Sequence, residues 1–424
     1  MSRNPAQGTS GAARGYTLFM LAALTALNQF DRQLMNILIE PIRREFALSD
    51  VEIGLLSGFA FVGIYTVLTV PAALFAVRSH RVNLIAAAAL TWGAMTALCG
   101  AAQSYAQFFV ARFGVGIGEA GSMPPSHAII SDLYPPERRA TAMAIWSAGI
   151  NVGIFFAFLG GGVVGHRYGW RVAFFGAAAL TVAFAIMLRL TVREPPRNAS
   201  RATSVSLLVS TLRAMLRDRT LRHLWAAGIL ASTVSYAVLT WLPSFLVRSH
   251  HMTIASAGIY LALVIGPGGA LGTWLGGYFS DRLGRRDARW SLWLVGAVIV
   301  ASKPFIVAFL LLPATIPALV MFIVPAATAG VTLGPMLAVL HNRVAVELRP
   351  IASAIFLLGV NFVGLGLGPL VVGTMSDDLF AGFGGDALRY SLVAAQLLSL
   401  WAAYHYYVAG SLLSPTIVRP SPQS

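Results

Sequence analysis

Charge is scarce in this chain. Of 424 residues only 11% are charged, 16 of them carboxylates, and Lys303 is the one lysine. Cysteine is nearly absent as well: Cys99 sits alone in an apolar run, which excludes an internal disulfide. A soluble domain carries about 25% charged and about 45–50% apolar residues, whereas this chain is 57% hydrophobic with mean hydropathy +0.73. A soluble fold of this size cannot hide so much apolar surface, and a disordered chain has the opposite bias. A soluble enzyme, a secreted disulfide scaffold and a nucleic-acid-binding module are therefore excluded in favour of an integral membrane protein.

What the chain does contain is long apolar runs. A spanning helix needs about 20 mainly apolar residues, and twelve such runs occur, near 16–39, 53–77, 82–103, 106–132, 140–166, 170–191, 221–248, 254–281, 289–312, 316–344, 350–376 and 386–410. They predict an all-α membrane protein of twelve transmembrane helices in two six-helix bundles, 16–191 and 221–410, joined by the hydrophilic linker 192–220. Residues 1–15 read as a disordered N-terminus and 411–424 as a tail. The first apolar run is too long for a signal-peptide core and lacks a convincing cleavage site.

The net charge of +14 and isoelectric point near 10.7 suggest nucleic acid only if the distribution of arginine is ignored. The N-terminus, 78–81, 133–139, 189–222, 282–289, 343–349 and the C-terminus together hold 21 arginines, and the opposite loops hold six. The positive-inside rule then puts both termini in the cytoplasm, consistent with the cell (inner) membrane. The halves are also repeats. Glu137–Asn151 aligns without gaps on Glu347–Asn361 with seven identities in fifteen positions, and Gly169-Trp170-Arg171 is echoed by Ala387-Leu388-Arg389. Parallel six-helix repeats about a central cavity are a transporter plan.

Gly277-Tyr-Phe-Ser-Asp281-Arg282-Leu-Gly284-Arg285-Arg286 resembles the signature loop of the major facilitator superfamily, with a degraded copy at Ala73–Arg81. Asp31-Arg32-Gln33 with Glu40-Pro41-Ile42, Arg112-Phe-Gly-Val-Gly-Ile-Gly-Glu119-Ala-Gly121, and Gly169-Trp170-Arg171 are similar to its Spinster-like branch. The resemblance covers nearly the whole chain and implies an amphiphilic, often anionic, substrate of the lysolipid or sphingoid-phosphate class. Val77 stands where the first signature loop would carry Asp, so a gate symmetric in the two loops is not expected.

Several charged residues fall inside the spans. Asp31 and Arg32 lie about eight residues from the outer end of the first run, roughly 12 Å below the surface. Charges at that depth must pair or face water. Adjacent helical residues diverge by about 100°, so these two are not simple partners of each other. Arg112 and Glu119, seven apart, share one helix face, with Glu119 near the midplane. There burial penalises the charged carboxylate, the requirement for a proton-coupling site. The alternative is a protonated or Arg-paired Glu119 that locks two helices. Asp31 and Glu119 are the proton-coupling candidates, and Arg32 and Arg112 the substrate-binding ones. Asn151 and Asn361, at equivalent repeat positions, either line the cavity or hydrogen-bond between helices, and Tyr236 and Trp241 offer an apolar wall.

Asp281, Arg282, Arg285 and Arg286 form a candidate conformational latch, against the alternative of simple positive-inside anchoring. Lys303 either attracts an anionic headgroup or snorkels toward an interface. Gly116–Gly121 matches the GxGxxG fingerprint formally, but inside an apolar span its glycines are expected to serve helix packing. No Walker loop or GxSxG elbow occurs, and His250-His251 lacks further ligands at metal spacing, so no enzyme activity, cofactor or metal is expected. The expected partners are substrate, protons and membrane lipids, with the protein acting as a monomer. The rival readings are a carrier of small soluble organic anions or drugs, a membrane-embedded lipid enzyme, and a non-transporting sensor.

Overall fold

A computed structural model describes residues 11–196 and 205–414. The described residues are helical nearly throughout. In the first part of the chain the helices are α1 (Gly11–Ile37), α2 (Ile39–Phe46), α3 (Asp50–Gly54), α4 (Ala60–Arg78), α5 (Arg81–Ala101), α6 (Tyr105–Ala120), α7 (Met123–Leu133), α8 (Pro136–Phe156), α9 (Gly162–Tyr168) and α10 (Trp170–Thr191). There follow α11 (Val205–Arg217), α12 (Arg219–Ser249), α13 (Ile254–Gly284), α14 (Trp290–Leu311), α15 (Thr315–Thr328), α16 (Leu333–Arg343), α17 (Arg349–Thr374) and α18 (Ala387–Ser411). Short π turns at Leu55–Phe59 and Ala157–Gly161 join α3 to α4 and α8 to α9.

Nine helical stretches among the described residues are long and apolar enough to cross a membrane. The other three expected spans are α1, α18 and the α6–α7 pair. α1 carries Asp31 and Arg32, α18 carries Arg389 and His405, and the fourth span is interrupted after Ala120. Proline explains the interruption. Pro124 and Pro125 occupy the first turn of α7, where their missing N–H groups cost nothing. The twelve-span reading therefore stands, with polar residues concentrated in the spans that are least apolar.

The chain divides into two compact units. One comprises Met1–Ala202, Thr240–Val247 and His251–Gly266; the other comprises Thr203–Leu239, Arg248–His250 and Pro267–Ser424. This differs from a cut at the linker, because the facing ends of α12 and α13 pack with the first unit. Gly162 and Gly258 account for it: each approaches the other's helix so closely that a Cβ on Gly162 would lie 2.9 Å from the Ile254 carbonyl oxygen. The N-terminal boundary also differs, since residues 11–15 belong to α1, while 1–10 lie outside the described residues. Within the linker Val205–Arg217 is helical and buries Thr211 and Met215, whereas 197–204 and the tail from 415 onward lie outside the described residues.

In the first unit α1 packs against α8 and α10, α5 lies between α6 and α10, and α4 covers α6. In the second, α14 packs against α15 and α18, and α17 against α11 and α16. Its core gathers Leu224, Leu292, Val295, Leu340, Phe356 and Tyr406. Local caps set the loop ends. Ser49 and Glu52 form a reciprocal capping box at α3 (3.2 and 2.9 Å), and Ser104 caps α6.

Candidate functional site

The glycine run in α6 explains how charge reaches the middle of the first unit. A Cβ on Gly118 would lie 2.5 Å from the Trp92 backbone nitrogen, and one on Gly116 2.6 Å from the Phe61 carbonyl oxygen. These glycines let α6 sit directly on α5 and α4, so the fingerprint-like pattern serves packing. The same helix stops right after Glu119: Gly121 N–H donates to the Gly118 carbonyl, and Ser122 Oγ donates to the Glu119 carbonyl at 2.9 Å.

Four ionisable side chains converge beside that break. Arg32 Nε donates to Glu119 Oε2 at 2.7 Å, with Glu119 fully buried and the Arg32 side chain 17% exposed. Asp31 turns the other way and accepts from Thr96 Oγ1 at 2.7 Å. Arg112 is 2% exposed, and its charge acts on both carboxylates. If all four are ionised the cluster is neutral, which is the condition for holding charge at this depth. Phe61 and Tyr65 complete it, with the Arg32 guanidinium 4.5 and 4.8 Å from their ring centres and Arg112 5.7 Å from Phe61.

The cluster is not saturated. Arg112 Nε and Nη1, Asp31 Oδ1 and Glu119 Oε1 are buried with no hydrogen-bond partner among the described residues. Unspent donors and acceptors at one place are unusual in a folded interior.

The remaining sequence-predicted residues have their own surroundings. Asn151 is half-buried on α8, and Trp241 is fully buried in the first unit. In the second unit Tyr236 Oη donates to Asn361 Oδ1 at 3.1 Å. Asp281, Arg282, Arg285 and Arg286 are exposed at the end of α13 and form no ion pair among the described residues. Lys303 neither snorkels nor stands free; its Nζ donates to Gln396 Oε1 at 2.9 Å.

Two networks escaped the sequence reading. Arg81, in the signature copy that reads as degraded, is 4% exposed and donates to Asp132, to Glu194 Oε1 at 2.6 Å and to the Pro195 carbonyl at 3.0 Å. Glu194 also accepts from Val82 N–H at 3.0 Å. The degraded loop thus carries a well-formed ion cluster. At the other end of the same unit, Trp170 Nε1 and Arg171 Nη1 donate to the two oxygens of Glu45 at 2.6 and 2.5 Å. Gly169 permits this with φ of 90°, a conformation other residues resist.

Burial pushes the Glu45 carboxyl up, but the Trp170 and Arg171 hydrogen bonds and the Arg171 charge outweigh it and hold it below its usual value. A lowered folded value means that the clamp's contribution is complete above the unfolded carboxyl's pKa of about 4.3 and is lost as pH falls through the folded value. Trp170 emission, taken as the difference from Trp170→Phe, is therefore expected to change only below about pH 4 and to lose that step in Glu45→Gln. A transition centred near neutrality would contradict the assignment.

A neutralised charge cluster beside an interrupted helix, deep in an all-helical membrane-spanning unit, defines a multi-pass membrane transporter. The family model described as Major Facilitator Superfamily matches residues 21–369. A crystal structure of a bacterial homolog to the human lysosomal transporter Spinster, inward-facing and unoccupied, matches with TM-score 0.86 and 29% identity over 95% of this chain and 98% of that one. The chain belongs to the Major Facilitator Superfamily and is Spinster-like within it. It is also 33% identical over 403 residues to an MFS-type efflux pump of Mycolicibacterium smegmatis, covering 94% of this chain and 93% of that protein. The cis,cis-muconate transport protein of Acinetobacter baylyi is 30% identical over 284 residues, 63% of this chain and 67% of the relative.

Proposed function

We propose that this transporter is proton-linked, works by alternating access, and carries an amphiphilic or anionic lipid-like substrate of the lysolipid or sphingoid-phosphate class. It sits in the inner membrane with both termini cytoplasmic, a reading supported by the 21-to-six arginine asymmetry. The observation that carries the mechanism is the unsaturated cluster. Glu119 holds Arg32 at 2.7 Å, while Arg112 Nε and Nη1 are buried with no hydrogen-bond partner among the described residues.

The chemistry follows from charge balance. A substrate phosphate or carboxylate entering the cluster adds negative charge next to Arg32 and Arg112, whose fixed donors suit such oxyanions. A proton on Asp31 offsets the added charge, whereas a proton on Glu119 both restores neutrality and releases Arg32 to the anion. Loss of that proton restores the Arg32–Glu119 pair and expels the anion. Substrate and proton occupancy are thereby linked through one guanidinium. The interruption after Ala120 places the bend of the fourth span beside the acceptor, as discontinuous helices do at carrier sites. Asn151, Asn361, Tyr236 and Trp241 belong to the remainder of the pathway, and Asp281 with Arg282, Arg285 and Arg286 to a latch. Their exposure without an ion pair supports a contact made in another conformation.

A second reading, transport of small soluble organic anions, is favoured by the similarity to the muconate transport protein. Both readings use the arginines, and the substrate separates them. Proteoliposome flux with a lysophospholipid, a sphingoid phosphate and a linear dicarboxylate, with and without a pH gradient, is the deciding measurement. Selective uptake of the dicarboxylate would remove the lipid reading. Arg32→Ala is expected to lower anion affinity by about 2–5 kcal/mol, as loss of one partner of a buried charge pair does, with Arg32→Lys intermediate. Unchanged affinity would make Arg32 a structural partner of Glu119.

A further inference from the structure

The first unit carries a groove that is unrelated to the charge cluster in chemistry. It is about 600 Å³ in volume, running from Phe19 to Leu34 on α1, from Ile145 through the π turn to Val164 on α9, and from Val172 to Phe184 on α10. All 22 residues that line it are apolar or glycine. At 1.5 Å per residue its α1 wall is about 22 Å long, against a hydrocarbon core of about 30 Å and hence about 15 Å per leaflet. Its lips are open, with Phe156 54% and Leu180 50% exposed.

The glycines in its walls divide into two kinds. Gly149 and Gly153 are required by packing, because a Cβ on either would strike the α1 backbone at Ala22 or Ala26. Gly176 is not. No atom lies within 4 Å of where its Cβ would stand, although it lies on the groove wall. Its missing side chain leaves room instead of allowing helix contact.

We infer that this groove holds one acyl chain of a bilayer phospholipid whose phosphate rests on Arg167. An apolar cavity does not recruit water, and an empty one forfeits dispersion contacts along its walls. At this depth in the spans the surrounding medium is hydrocarbon chain. Arg167 supplies the charge complement: it is exposed one turn beyond Val164 on the same face of α9, and its guanidinium meets only the Tyr168 ring, at 5.5 Å, among the described residues. At about 22 Å the groove exceeds one leaflet, so it takes the full length of a tail. The inference does not depend on lipid being transported.

The full-length protein is reconstituted in nanodiscs containing phosphatidylglycerol with a diazirine on one acyl chain, and cross-linked peptides are mapped by mass spectrometry. Adducts are expected on α1, α8 and α10, in excess over helices with exposed apolar side chains elsewhere, such as α14. Gly176→Trp, whose Cβ meets no atom within 4 Å, places an indole in the groove and should cut those adducts about ten-fold, the equivalent of losing contact with roughly two methylenes. Arg167→Gln should reduce them for phosphatidylglycerol while leaving a neutral diacylglycerol probe unaffected. Gly176→Ala, which adds only a Cβ in open space, controls for folding. Labelling spread evenly over all outward helices, or unchanged in folded Gly176→Trp, would overturn the assignment. Preferential labelling by a lysophospholipid over the bilayer probe would make the groove part of a substrate path and likewise overturn it.

Discussion

Glu119→Gln, combined with Asp31→Asn, is expected to abolish the stimulation of transport by a pH gradient while leaving a folded protein. Both substitutions keep the side-chain size and remove only the ability to carry a charge. Glu119 accepts from Arg32, and Asp31 is hydrogen-bonded to Thr96 with Arg112 acting on it electrostatically. In the double variant the cluster is permanently two charges more positive, whatever the pH. Coupling free energies between sites are about 1–3 kcal/mol, roughly 5–150-fold in affinity, so the loss should appear as a factor in that range in gradient-driven uptake. Anion binding measured without a gradient is expected to persist or tighten, because Arg32 is no longer held by a carboxylate. Distance distributions from spin labels across the terminal end of the protein, recorded from about pH 5 to pH 8, test the same point. A double variant that keeps the parent's pH response would move proton coupling away from these carboxylates.

The residues of this site were legible in the sequence, but their pairing was not. Charges inside apolar runs flag themselves: Asp31, Arg32, Arg112 and Glu119 fall within the first and fourth spans, whose one other charge, Asp132, stands at the very end of the fourth. Which of them meet depends on how α1, α5 and α6 rotate against one another, and that is set by contacts such as Gly118 on Trp92. Helical periodicity gives the face of one helix and says nothing about the neighbour across it. The twelve spans were legible because hydrophobic length is a one-dimensional property; the fourth was read as one uninterrupted run, although Pro124 and Pro125 follow its break. Thr96, Phe61 and Tyr65 carried no signal, being ordinary residues of apolar helices. Glu45 and Glu194 were hidden for another reason. Each lies outside a span, where a carboxylate is unremarkable until Trp170 and Arg171, or Arg81, are seen folded onto it.

The Arg81 network leads to the second large effect. Arg81 and Arg285 occupy the same place in the two copies of the signature loop, yet Arg81 is 4% exposed and shared by Asp132, Glu194 and the Pro195 carbonyl, whereas Arg285 is exposed with no ion pair among the described residues. Through these partners Arg81 ties the start of α5 to the end of α7 and to the segment after α10. Removing the common cation of a buried cluster costs about 3–5 kcal/mol, so Arg81→Ala should lower the thermal unfolding midpoint strongly. Arg285→Ala should leave stability within about 0.5 kcal/mol, as surface substitutions do. Arg81→Lys is expected to recover only part of the loss, because an ammonium is a point charge and lacks the planar fork that reaches two carboxylates and a carbonyl together. Unfolding followed in the same detergent for all three variants is the check. Equal effects of Arg81→Ala and Arg285→Ala would mean that the two loops are energetically equivalent. The observed asymmetry predicts otherwise: the copy without an Asp at position 77 anchors the first unit through its arginine, and the copy with Asp281 leaves its arginines exposed with no ion pair among the described residues.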